Sequence, residues 1–215
     1  MISPAHNATI AQPSTREPFI SKSKFLSGLQ CPKLLWTLYN QKDLIPPPDA
    51  AQQAIFDQGH EIGALAKSLY PDGIEFAENT RDLDETIRLT RQVLSARKPL
   101  FEAAFESNGG YCRVDILKLA PGDAWDLVEV KSTTGAKEVH LHDCAFQAFV
   151  FSGAGLSIRR CYLMHIDSDF VRQGPVDPRL FFQGHRSDGS GLHRHPHHGR
   201  QVECHGQGDP TICLS

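Results

Sequence analysis

The sequence predicts a mixed α/β domain of the α+β kind, on three observations. Apolar residues recur at helical spacing up to about residue 99. From residue 100 they alternate with period two, as half-buried strands do. Turn signals at Asn108-Gly109-Gly110 and Pro121-Gly122-Asp123 cut that second region into lengths suited to hairpins. The expected order is N-terminal helices, a three-stranded antiparallel meander, a helix and a further strand, that is, βββαβ after the helices.

Residues 1–19 are polar, contain Pro, Ser and Thr, and show no periodicity, so they read as a flexible leader. Residues 21–43 open on a serine N-cap candidate and place Phe25, Leu26, Leu29, Leu34, Leu35 and Leu38 at helical spacing, with Pro32 marking a start or break. "IPPPDA" is a linker. Residues 51–71 form an amphipathic helix on Ile55, Ile62, Leu65 and Leu69, and residues 80–99 a third on Leu83, Ile87 and Leu94. Strands are expected over 100–107, 111–120 and 124–133, a helix over 137–155 stopped by Gly153 and Gly155, and a fourth strand over 158–167. The folded domain is placed at 20–182.

With 215 residues and 40% hydrophobic content, the chain has enough apolar surface for an ordinary core. No stretch approaches the roughly 20 apolar residues of a membrane span, and the N-terminus lacks a secretory layout, so no membrane association is expected. Six cysteines at irregular spacings do not make a secreted disulfide framework, and a reducing cytoplasm is the expected compartment. The net charge of −3 neither favours nor excludes nucleic acid. Lys22, Lys24 and Lys33 cluster near one helix, either as a local basic groove or as a solvated helix face.

The segment "DLVEVKSTTG" over residues 126–135 carries the chemical signal. Period-two alternation puts Val128 and Val130 on one face, and Leu127, Glu129 and Lys131 on the other. Asp115 lies mid-strand in "YCRVDILKLA", on the face of Arg113 and Leu117, and hairpin pairing would bring it near Glu129. Two carboxylates on neighbouring strands suit Mg²⁺ or Mn²⁺. An ammonium one pleat along can orient a water or stabilise charge on a phosphate. Asp123 and Asp126 read as turn residues, His140, His142 and His165 as structural or exposed, and Trp36 and Trp125 as core or rim aromatics.

The pattern Asp115…Glu129-Val130-Lys131 resembles the PD-(D/E)XK nuclease signature, in particular its RecB-like branch, which includes the CRISPR adaptation exonucleases. His60 in "FDQGHEIG" is similar to the upstream metal-ligand histidine of that branch. Gln147 in "AFQAFVF" is similar to the glutamine of the helix after the catalytic strand, although Phe149 or Phe151 stands where a tyrosine is usual. "SKSKFLSGLQCPKLLW" resembles the N-terminal segment of bacterial proteins of unknown function built on this core, and the likeness spans residues 21 to 180. The resemblance implies a restriction-endonuclease-like core in which Asp115, Glu129, His60 and the carbonyl of Val130 hold divalent metal. It implies further that Lys131 positions the attacking water, and that Gln147 contacts DNA or steadies Lys131. The implied activity is hydrolysis of DNA phosphodiesters, as an exonuclease, in repair, processing or defence. The alternative is a catalytically inactive truncated fragment that binds nucleic acid or a protein partner.

In many relatives an early cysteine in the context of Cys31-Pro32 joins three C-terminal cysteines around an iron–sulfur cluster. Here Cys204 and Cys213 offer no matching group, which counts against a cluster, and Cys112, Cys144 and Cys161 suit apolar packing. From about residue 183 the composition changes abruptly. Residues 183–215 hold six of the eleven histidines, many glycines and few apolar residues, and disorder is expected there. The spacings of His193, His195, His197, His198, Cys204 and Cys213 match no structural zinc motif. Truncation or a reading-frame error is therefore preferred to a metal-binding tail.

Overall fold

The structure is a computed structural model that describes residues 19–76 and 82–183. The expectations for the leader at 1–18 and the tail at 184–215 lie outside the described residues. Strand β1 (Ile20–Ser21) leads into helices α1 (Lys22–Gln30) and α2 (Pro32–Asn40). Helix α3 (Ala50–Lys67), strand β2 (Ile74–Glu75) and helix α4 (Leu83–Val93) follow. Then come β3 (Leu100–Ser107), β4 (Gly110–Leu119), β5 (Trp125–Lys131), α5 (Glu138–Gly153), β6 (Ile158–Ile166), α6 (Pro178–Phe181) and β7 (Phe182–Gln183).

Local chemistry accounts for the boundaries. Ser21 caps α1 by accepting from the Lys24 N–H, and Pro32 splits the first helical stretch in two by opening α2. Asp49 and Gln52 form a capping box at the start of α3. Asn108 and Gly109 both take positive φ (49° and 71°), as a two-residue hairpin turn between β3 and β4 requires.

The strands form one mixed sheet in the order β2-β3-β4-β5-β6-β7, with β1 also paired to β4. The β3-β4-β5 meander is antiparallel, β6 runs parallel to β5 after the α5 crossover, and β2 is parallel to β3. β1 pairs with β4 at Ile20↔Gly110 and Ser21↔Tyr111, whereas β5 pairs with it only from Ile116 to Leu119. The short strands β1, β2 and β7 and helix α6 escape sequence reading, because two to four residues carry no period. No described helix is long and apolar enough to cross a membrane.

Helices cover both faces. α5 and α4 pack on Leu100, Ala103, Phe105, Cys112, Val114, Leu117 and Leu127. α3 packs on Phe101, Ile116, Val128 and Met164 through Ile62, Leu65, Ala66 and Leu69. These two sets expose a break in alternation. Ala103 and Phe105 face α5 but Phe101 faces α3, while Cys112 and Val114 face α5 but Ile116 faces α3. Both strands change phase at one rung, Glu102 opposite Asp115, where the ladder skips a pair and Glu102 takes φ of 56°. The expectation that Arg113, Asp115 and Leu117 share a face is thus corrected: Leu117 lies on the α5 face with Val114, because the pleat is interrupted at Asp115.

Asp126 is corrected as well. It is not a turn residue but a fully buried one in β5, paired in a fork with Arg159 and 3.9 Å from the Lys118 ammonium. Trp125 is buried in the core and Trp36 is exposed on α2. Asp126→Ala would leave the buried Lys118 and the Arg159 fork without their anion. It is expected to cost about 3 kcal/mol, read as a lowered urea midpoint at unchanged slope.

Candidate functional site

The site forms where β4 and β5 part. Their ladder ends at Ile116↔Val128, and the Asp115 side chain takes over: its Oδ2 accepts the Val130 N–H at 2.7 Å. The N–H and C=O of one strand residue point the same way, so the Val130 carbonyl faces the same gap. Glu129 and Lys131 project to the α5 side of the sheet. Lys131 Nζ lies 2.6 Å from Glu129 Oε1 and 2.6 Å from Asp143 Oδ2. Glu129 is 4% exposed and Asp143 and Gln147 1% each, so two carboxylates and an amide are sealed together under α5.

Helix α5 supplies its part through spacing. Asp143 and Gln147 are one turn apart on its buried stripe and therefore share a face. Gln147 Nε2 donates to Glu129 Oε2 at 2.6 Å and to Asp143 Oδ1 at 2.9 Å, which fixes the amide orientation. Gln147 Oε1 is the only buried side-chain nitrogen or oxygen without a hydrogen-bond partner among the described residues. An orphan of that kind costs about 1–3 kcal/mol.

Lys22 completes the cluster. Its Nζ lies 3.1 Å and 3.0 Å from the two Glu129 oxygens and 3.4 Å from Asp143 Oδ1. β1 explains this placement: running parallel to β4 along the edge that β5 leaves free, it delivers the next residue, Lys22, toward the gap at Asp115. Within the Lys22, Lys24 and Lys33 group, Lys22 is thus turned onto buried carboxylates and does not lie on a solvated helix face. Lys24 instead lies over the Tyr39 ring at 3.8 Å.

Burial pushes the Glu129 carboxyl up to about 7, and the Asp115 carboxylate adds to that against the pull of Lys22 and Lys131. Burial also raises Asp115, partly offset by Lys22. For Asp143 burial acts upward too, but the Lys22 and Lys131 ammoniums outweigh it and hold the group down at about 2. Both lysines are penalised by burial, yet their acidic neighbours raise them, so they stay charged.

The other expected site residues fare differently. His60 is exposed on α3 and joins no metal-holding group. Among the described residues, no three His, Cys, Asp or Glu side chains converge in such a group. The ammoniums lie between the carboxylates instead. Cys31 is half-buried at the N-cap of α2, while Cys112, Cys144 and Cys161 are buried thiols outside any disulfide, and among the described residues none joins Cys31 around a metal. Cys204 and Cys213 lie outside the described residues. His140 is buried, and its Nδ1 accepts the Lys137 N–H at the start of α5.

Sequence reading missed Asp143 and Lys22. A signal for Asp143 existed: a carboxylate four residues before Gln147, on an otherwise apolar helical stripe.

No known family matches the chain, and no curated protein is similar to it in sequence. Among solved structures, that of SSO0001 has a TM-score of 0.37 to this one at 13% identity, over 78% of this chain and 73% of that one.

The two carboxyls give opposite pH signatures. Glu129 binds its proton more tightly folded (about 7) than unfolded (about 4.5). Its contribution to stability is therefore complete below the lower value and lost as pH rises through the higher. Asp143 contributes above about 3.8 and loses its contribution as pH falls toward 2. In metal-free buffer, stability between pH 5 and 7.5 is expected to fall with rising pH, by up to about 3 kcal/mol from Glu129. Urea titrations across that range should show the slope in the wild type and lose it in Glu129→Gln.

Proposed function

We propose that the chain is a divalent-metal-dependent deoxyribonuclease, built on a restriction-endonuclease-like core of the RecB-like type. The observation that carries this reading is the convergence of Asp115, Glu129, Lys131 and Gln147 at the parting of two antiparallel strands, inside a β3-β4-β5-α5-β6 order. Three of these come from a seventeen-residue hairpin and the fourth from the helix that follows, as the sequence pattern requires.

The donor chemistry of the site fits Mg²⁺ or Mn²⁺. Asp115, Glu129 and the Val130 carbonyl are hard oxygen groups at one gap, and they would hold the ion. His60 is left out of the ligand set. Bound there, the ion would supply charge stabilisation and acidify water.

The chain's own residues then have definite tasks. The Lys131 ammonium, held between Glu129 and Asp143, is presented with fixed direction to a phosphate oxygen or an attacking water. Asp143 acts through Lys131 as a positioning residue. Gln147 holds the Glu129 carboxylate in its orientation by donating to Oε2. The sheet and α5 exclude water from this pair, which strengthens each electrostatic contact.

Labelled linear single- and double-stranded DNA incubated with Mn²⁺, or with EDTA, tests the reading. Cleavage is expected with Mn²⁺ only, falling about 10²-fold or more in Lys131→Ala and Glu129→Ala. Folded protein that leaves DNA intact in Mn²⁺ would instead favour the non-catalytic alternative, a nuclease-fold fragment that binds nucleic acid or a partner.

A further inference from the structure

The Lys22 ammonium sits almost equidistant from the two Glu129 oxygens, at 3.1 Å and 3.0 Å. One cation is thus shared by both oxygens of the carboxylate. It also reaches Asp143 Oδ1 at 3.4 Å, so one positive charge bridges two buried carboxylates. The carboxylates are sealed (side chains 5% and 1% exposed), while the Lys22 side chain is 22% exposed. Solvent thus reaches Lys22 more readily than the groups it neutralises.

A buried carboxylate pair needs a counter-charge. Lys131 comes from the same strand as Glu129, but Lys22 is brought 107 positions along the chain for this purpose. β1 pairs with β4 over two residues, and α1 buries none of its side chains fully. Ile20 and Phe25 are partly buried against the core, Phe25 stacked on Phe146 with centroids 4.7 Å apart. The ladder between β4 and β5 does not run through Lys22, so its side chain can leave the carboxylates without breaking that ladder.

Resting on the metal-dependent reading above, we propose that Lys22 is a tethered counter-ion occupying the cation position between Glu129 and Asp143, and that a divalent ion binds by displacing it, with Asp143 joining Glu129 as a ligand. Two cations cannot share the same pair of oxygens at about 2–3 Å, so ion entry and Lys22 contact exclude each other. Metal occupancy is thereby coupled to release of the N-terminal end of α1.

The test is Mn²⁺ binding to the full chain by isothermal calorimetry, with Lys22→Gln, Lys22→Arg and Lys24→Gln as variants. Lys22→Gln is expected to bind Mn²⁺ at least about tenfold more tightly than wild type, and Lys22→Arg no more tightly than wild type. Lys24→Gln, which removes a nearby charge that faces Tyr39 rather than the carboxylates, is expected to match wild type. Asp143→Asn added to Lys22→Gln should reverse the gain. Hydrogen exchange on the wild-type chain adds a readout that needs no variant to fold: Mn²⁺ should speed exchange of the amides at residues 22–26. Equal or weaker binding by Lys22→Gln, or an α1 protected by Mn²⁺, would overturn the proposal and leave the nuclease reading standing. No Mn²⁺ binding by wild type or any variant would overturn both.

Discussion

Everything distinctive in this molecule follows from placing the Glu129 and Asp143 carboxylates side by side out of water. Two like charges in such a position repel each other and lose hydration, so neither is tolerable without positive partners. The fold answers with two ammoniums and one amide, each touching both carboxylates. The outcome is unequal: burial raises Glu129 to about 7, whereas the two ammoniums hold Asp143 at about 2, so Asp143 keeps its charge where Glu129 titrates. A folded domain needs no such arrangement for its stability, since apolar residues of similar volume would pack there at lower cost.

The sheet is shaped to deliver this pair. Were β4 and β5 regular throughout, Asp115 would fall in the pleat opposite Glu129 and the ladder would close over both. Instead β3 and β4 change phase together at Glu102 and Asp115, and the Asp115 carboxylate replaces a ladder acceptor for the Val130 N–H. The strained φ at Glu102 marks where the change is made, and its carboxylate is tied to Lys67 of α3 at 3.2 Å. Irregularity at that rung is what opens a gap with polar groups in it between two otherwise apolar strands.

Most of the architecture was legible because its signals are local. Alternation and the Asn108-Gly109 turn define the meander, and the buried stripe of α5 is written in its heptad-like spacing. Asp115, Glu129 and Lys131 were legible for the same reason, as all three lie within seventeen consecutive positions, whereas Gln147 was singled out by a resemblance. What failed was whatever depended on distant pairing or on broken periodicity. Period two assigned Asp115 to the wrong partners because no residue type announces a phase change. Asp126 resembled a turn residue because its partner Arg159 lies across the parallel β5–β6 pair. Lys22 resembled a solvated lysine because its role depends on β1, a strand too short to leave a pattern. His60 followed from a resemblance alone, and the structure leaves it exposed.

The site is therefore assembled from three stretches of unequal firmness. Residues 115–131 belong to the central strands, and 143–147 to a helix packed on them across the main core. Residues 20–22 join β4 through two backbone pairings, with Ile20 partly buried against the core. Local opening begins where fewer buried contacts must break, and fewer hold this segment than hold the central strands or α5. Its departure exposes a net negative cluster of Asp115, Glu129 and Asp143 with Lys131 as the one remaining ammonium. The charge that stabilises the resting site is thus supplied by its least firmly held element, and a stronger cation can take that place without unfolding anything else.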